Sequence, residues 1–213
     1  MRLIEKGPPP RELEAYRLRP NARYDGDNSF GQVKERIRKA LVREQGWLCC
    51  YCMQRIEPLA HRMNVEHWAS QRRHEERALD WTNLLGACKG EPQATQAAQH
   101  CDLRKGDSEI QLDPQKRVHI DTLSFTADGE LISSDAVLQA DITERLNLNA
   151  VNLRNLRRTA VQAAQRALER KYSGPLPRSA LSRELEACEC KGKQLPPFSG
   201  AIAWWLRKRL SRA

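Results

Sequence analysis

Apolar positions along this chain change period several times, and each change predicts an element. Val33, Ile37, Ala40 and Leu41 recur at helical spacing and predict a helix over about 32–45, with Gly46 placed to end it. The preceding residues carry Pro8-Pro9-Pro10, Pro20 and Asp25-Gly26, so residues 1–30 read as extended and irregular. Residues 63–67 (Met-Asn-Val-Glu-His) and the apolar run 84–87 each read as a short strand, and Asp102 can open a short helix. From 117 to 133, Val118, Ile120, Leu123 and Phe125 lead to Asp128-Gly129 and Leu131-Ile132, a hairpin signal. The chain turns helical from 134. Leu146-Asn-Leu-Asn149 then leads into a long amphipathic helix to about Tyr172. Leu153, Leu156, Ala160, Ala163, Ala164 and Leu168 fall on its buried side, and Arg154, Arg157, Arg158 and Arg166 on its polar side. Pro175 and Pro177 follow, then two shorter helices over 179–188 and 199–211. The pattern predicts an α+β protein in three stretches: 1–45, 46–115 and 116–213.

Composition narrows the class. Among 213 residues, 40% are apolar and 30% charged, the balance of a globular chain. No apolar run approaches the roughly 20 residues needed to span a bilayer. The first residues lack the apolar stretch of a secretory signal, so the expected location is the cytoplasm. A net charge of +9 favours a polyanionic partner, although many soluble proteins are basic.

Seven cysteines in a cytoplasmic chain point to metal ligation rather than disulfides. Cys49 and Cys52 have the two-residue gap of one half of a tetrahedral zinc site. Cys88 and Cys101 would supply the other half across a Gln- and Ala-rich loop at 91–99. His100 could replace one cysteine, and Cys50 could replace Cys49; Cys188 and Cys190 are left over as surface thiols.

Interleaved with those cysteines are the residue types that phosphodiester hydrolysis needs. A neutral imidazole can deprotonate water, and a hard cation on carboxylates can neutralise charge at phosphorus and at the leaving oxygen. His67 is the candidate base, and Glu66 and Asp102 are the candidate ligands for Mg²⁺ or Mn²⁺. Asn83 can orient the base through a backbone group or the imidazole itself. Arg104 and Lys105, one helical turn on, are candidates to contact phosphate. Each has a plainer reading as well: Asp102 as a helix cap, Asn83 as a turn residue, Glu66-His67 as surface. His61, His74 and His119 have no such context and read as surface residues.

Cys49-x-x-Cys52, Glu66-His67, Asn83, Cys88 and Cys101-Asp102-x-x-Lys105-Gly106 together resemble the zinc-stabilised HNH endonucleases with a ββα-metal core. The resemblance implies that His67 is the general base, that Glu66 and Asp102 hold one divalent cation, and that Asn83 positions the base. Further blocks carry it toward one subgroup. The opening Met1-Arg-Leu-Ile-Glu-Lys-Gly-Pro, the stretch from Gln45 to Met53, Asn83-Leu-Leu-Gly-Ala-Cys and Leu146-Asn-Leu-Asn are similar to the HNH subunit of Septu and retron-associated antiphage defence systems. That subgroup implies an ABC/SMC-like ATPase partner, with a retron reverse transcriptase and its msDNA as possible associates. DNA is the favoured substrate, with RNA such as tRNA as an alternative; a non-catalytic zinc adaptor is the competing class. Glu66 and Asp102 depart from the commoner ligand types of HNH enzymes, which leaves the choice of metal open. The basic helix carrying Trp204-Trp205 is the expected docking element for the ATPase.

Overall fold

The computed structural model describes residues 1–213 apart from Asp27, Asn28, Ser173, Lys191 and Ala213. Helices α1 (Arg11–Arg17) and α2 (Phe30–Glu44) come first, followed by strands β1 (Asn64–His67) and β2 (Leu84–Ala87) and the short helix α3 (Cys101–Lys105). Helix α4 (Arg117–Ile120), strands β3 (Leu123–Phe125) and β4 (Leu131–Ser133), and α5 (Ala136–Ala140) with a π turn over Asp141–Arg145 come next. Helices α6 (Val151–Lys171), α7 (Arg178–Glu189) and α8 (Ser199–Leu210) complete the chain. Both sheets are two-stranded and antiparallel. No helix among the described residues is long and apolar enough to cross a membrane.

Three expectations from periodicity need correction. Residues 1–30 are not wholly irregular. Pro10 ends the proline run at the N-cap of α1, and Leu13 and Tyr16, one turn apart, bury the helix against α2. Val118 and Ile120 are helical rather than paired, and the hairpin begins only at Leu123. On α6 the buried face is rotated: Leu156 is 41% exposed, whereas Arg157 is 1% exposed. Arg157 donates to the carbonyls of Gly129 and Leu148 and to Asn149 Oδ1. A buried guanidinium is stable only with such partners, and here it ties the tip of the β3–β4 hairpin to α6.

The largest apolar cluster gathers Met1 and Ile4, Val42, the stretch around Cys49–Ile56, Leu85, Ile110 and Leu112, Leu146 and Leu148, and Phe198. The Leu146–Asn149 block alternates by role. Its leucines are fully buried, while Asn147 donates to the carbonyls of Ala97 and Gln99, and Asn149 both donates to and accepts from the Leu131 backbone. Helix α8 belongs to this architecture. Ala201, Ile202, Ala203 and Leu206 are buried, Trp204 packs edge-on against Phe125 at 6.2 Å, and Trp205 joins the α6–α7–α8 cluster. Removing residues 199–213 would therefore expose the core, so truncation cannot test docking while sparing the fold.

Candidate functional site: a four-cysteine centre beside an acid–histidine cluster

Helix α2 ends in Gln45, whose buried amide donates to the Leu48 and Gly86 carbonyls and accepts from Gly86 N–H. This clamp holds the Cys49–Cys52 turn against β2. The four thiols of Cys49, Cys52, Cys88 and Cys101 are all buried and lie within 4.8 Å of one another. Cys49 Sγ is 3.8 Å from Cys101 Sγ, and Cys52 Sγ is 3.7 Å from Cys88 Sγ. A disulfide needs ~2.05 Å. A tetrahedral ion with bonds of ~2.3 Å to sulfur needs S–S edges of ~3.8 Å. The spacing fits a metal ion such as zinc, and the four thiols that could hold it are the four cysteines first in line from sequence. Cys50 is buried outside the set, and His100 Nδ1 lies 3.2 Å from Cys101 Sγ as a neighbour to the cluster. Burial pushes the Cys101 thiol up. At Cys49 the same burial is outweighed by hydrogen bonds from Cys101, Cys50, Cys52 and Cys88, which hold it well below its usual value.

The long gap between Cys88 and Cys101 is closed at its base. His100 N–H donates to the Gly90 carbonyl at 3.2 Å, so residues 91–99 bulge outward and the two cysteines remain neighbours. Gly90 has φ +68°, and a Cβ there would sit 2.3 Å from the His100 carbonyl oxygen. Gly90→Ala should cost more than about 2 kcal/mol, adding left-handed strain to a backbone clash. The check is a denaturant melt together with the chelator concentration that strips the metal, and both should fall.

Strands β1 and β2 pair with Glu66 opposite Leu85 and His67 opposite Leu84. Alternation sends Asn64 and Glu66 toward α3, and Val65 and His67 toward α2. His67 is the last residue of β1, which allows neighbouring side chains to serve one site from two sides. On the α3 side, Glu66 Oε1 accepts from Tyr51 Oη at 2.8 Å and pairs with Lys105 Nζ at 2.7 Å. Asp102 Oδ2 accepts from Asn64 Nδ2 at 2.6 Å, and its carboxyl is near enough to act on that of Glu66. Burial, reinforced by Asp102 and opposed by Lys105, raises Glu66 well above the ordinary carboxylate range. A buried carboxyl beside a second carboxyl suits a hard divalent cation, whose charge would offset their mutual repulsion.

His67 Nε2 lies 3.0 Å from the Ala78 carbonyl. A carbonyl can only accept, so Nε2 carries the proton and Nδ1 keeps its lone pair. Nδ1 has no hydrogen-bond partner among the described residues. Burial lowers the basicity of the ring, against the Ala78 hydrogen bond, and favours the neutral form. Asn83 does not touch the imidazole. Its Oδ1 accepts from Ala69 N–H at 2.7 Å, and its Nδ2 donates to the carbonyls of Ala69 and Arg77. It therefore fixes the 69–78 loop whose Ala78 carbonyl orients His67. Asn83→Ala would strand buried backbone groups and should cost about 2–4 kcal/mol. That loss is readable in a urea melt, and Asn83→Asp should recover little, because it loses the donors.

No family model and no curated protein matches this chain.

One expected phosphate contact is corrected by geometry. Lys105 is 2% exposed, and its ammonium is committed to Glu66 and to the His67 carbonyl at 2.7 Å. It braces β1 against α3 and cannot reach a ligand at the surface. Arg104 is half-buried and reaches toward the Glu144 and Gln96 carbonyls, each at 3.4 Å. His61 is exposed; His74 pairs with Glu109 at 3.0 Å, and His119 Nδ1 accepts from Asp113 N–H. Two site residues escaped the sequence reading. Asn64 was legible in principle, because it stands two positions before Glu66 and so on the same strand face. Tyr51 carried no signal, since it lies within the cysteine turn and meets Glu66 only through tertiary packing.

Proposed function

We propose that this protein is a metal-dependent phosphodiesterase of the HNH type, acting on nucleic acid with DNA favoured, and that its four-cysteine centre holds a structural zinc ion. The observation that carries the reading is the His67 geometry. An imidazole pinned by a backbone carbonyl at Nε2, with Nδ1 free, ends the strand that also carries Glu66. That is the arrangement of a general base aimed at a water. The succession β1–β2–α3, with α3 started by a metal-ligating cysteine, supports the ββα reading.

Each residue then has a task. His67 Nδ1 takes the proton of the attacking water, and the Ala78 carbonyl stabilises the imidazolium that forms at Nε2. Glu66 and Asp102 would hold the divalent cation, Mg²⁺ or Mn²⁺. When bound, the cation supplies positive charge at the phosphoryl group and the leaving oxygen. Tyr51 and Asn64 orient the two carboxylates, and Lys105 anchors Glu66 until a cation competes for it. Cys101 fixes the start of α3, so the zinc centre sets where Asp102 stands.

The resemblance to Septu and retron-associated HNH subunits extends the proposal to an antiphage effector regulated by an ABC/SMC-like ATPase. The test incubates the chain, with and without that ATPase, with plasmid DNA and total tRNA in Mg²⁺ or Mn²⁺. Cleavage that needs the divalent ion supports the reading, and the substrate cut assigns DNA or RNA. A zinc-loaded chain that binds its partner but cuts neither substrate under any condition is a binding module instead.

A further inference from the structure

Helix α2 and the loop before it lie over the His67 side of the hairpin, outside the ββα elements. Tyr24 packs its ring edge-on to His67 at 4.5 Å between centroids. Lys34 Nζ sits 4.7 Å from the Tyr24 ring centre, and Arg38 follows Lys34 by four residues on the same face of α2. On the other flank, Lys89 Nζ donates to Asn64 Oδ1 at 2.7 Å, and Asn64 in turn donates to Asp102. Arg38 is close enough to both Tyr24 and Lys89 to act on each electrostatically. Lys34 and Lys89 thus flank the acid–histidine cluster on two sides, with Arg38 one helical turn beyond Lys34.

Their pairing is incomplete, in contrast to that of Lys105. Lys34 pairs with Asp25, but Lys89 meets only a neutral amide, and Arg38 forms no hydrogen bond or ion pair among the described residues. Arg38 Nε is buried without any partner. A buried guanidinium donor left unpaired is costly unless a ligand completes it, and arginine's fork matches phosphate oxygens. We infer that Arg38 and Lys89, with Lys34 beside them, form a phosphate-binding wall that holds the sugar–phosphate strand across the candidate site. The wall rests on the nuclease reading for the identity of its ligand. It takes over the role that sequence spacing assigns to Lys105.

The test measures binding rather than cleavage. Zinc-loaded wild type, Arg38→Gln and Lys89→Gln are titrated, without added divalent ion, against a short fluorescein-labelled DNA duplex and a single-stranded RNA. The titrations run from about 50 to 200 mM salt. Each substitution should weaken binding about tenfold near 0.1 M salt and reduce the salt slope by about 0.9 on duplex or 0.7 on single strand. Arg38→Lys should recover part of the loss. Arg166→Gln, an exposed change on α6, is the charge control and should bind like wild type. Melting temperature and zinc content establish that the variants are folded; a purely structural role for Arg38 would move the melt and leave the salt slope alone. Unchanged affinity and slope in both variants overturn the wall, whatever the cleavage assays give. Lost binding in a chain whose wild type cuts nothing keeps the wall and removes the nuclease reading. A loss confined to one probe names the strand that the wall holds.

Discussion

Cys101→Ser is expected to lose metal and fold together. Cys101 is completely buried, lies 3.8 Å from Cys49 across the four-thiol cluster, and begins α3 in a left-handed conformation with φ +58°. A non-glycine residue in that region costs roughly 1–2 kcal/mol; here the Leu146 carbonyl holds it in place, and a bound metal would add to that. Structural zinc sites contribute apparent binding energies of about 10–16 kcal/mol at neutral pH, comparable to or larger than the whole stability of a typical domain. The serine variant should therefore be insoluble or molten, with zinc per chain far below one. Cys50→Ser is the matched control: an equally buried neighbour outside the ligand set. It should keep its zinc and lose only about 1 kcal/mol. Zinc content by metal analysis and far-ultraviolet circular dichroism read both outcomes. If Cys50→Ser lost the metal and Cys101→Ser kept it, the ligand assignment would be wrong.

His67→Ala should do the reverse, keeping zinc and fold while removing cleavage. The ring is a terminal strand residue whose one hydrogen bond goes to a loop carbonyl, so its loss trims packing against Tyr24 without touching the metal centre. A positioned general base contributes about 10²- to 10⁴-fold to rate, and cleavage should fall by that factor. His67→Gln should not rescue, because an amide can reproduce the bond to Ala78 but cannot take a proton. The expected signature is a lost turnover at unchanged zinc content, with a modest fall in melting temperature from the lost Tyr24 packing and Ala78 hydrogen bond, smaller than that of Asn83→Ala.

The sequence was most informative where local pattern and local structure coincide. Helix α2, the strands before Trp68 and after Asn83, and α6 to α8 follow from period and breakers alone, within a residue or two. The four cysteines were readable because a tetrahedral ion needs four soft ligands and the Cys49–Cys52 gap marks one pair, while Cys50 and His100 stayed open as substitutes until the thiol spacing was known. What remained hidden depends on contacts distant in sequence. Arg157 appeared as surface charge because nothing local shows that three acceptors from the hairpin and the Leu148–Asn149 turn converge on it. Lys105 appeared as a phosphate contact because its spacing from Asp102 is right for one face, but that face is closed by Glu66. Conversely, Arg38 lies more than sixty residues from Asp102 and carries no motif. Only the packing of α2 over the hairpin reveals it as a neighbour of the cluster.

The measurement closest to the central claim is the rate of plasmid cleavage by wild type and His67→Ala in Mn²⁺, at matched zinc content and with both proteins folded at the assay temperature. Wild type should cleave, and the rate should fall in the variant by at least about a hundredfold. Equal rates in the two proteins would contradict it, since the one imidazole oriented for the chemistry would then have no part in it.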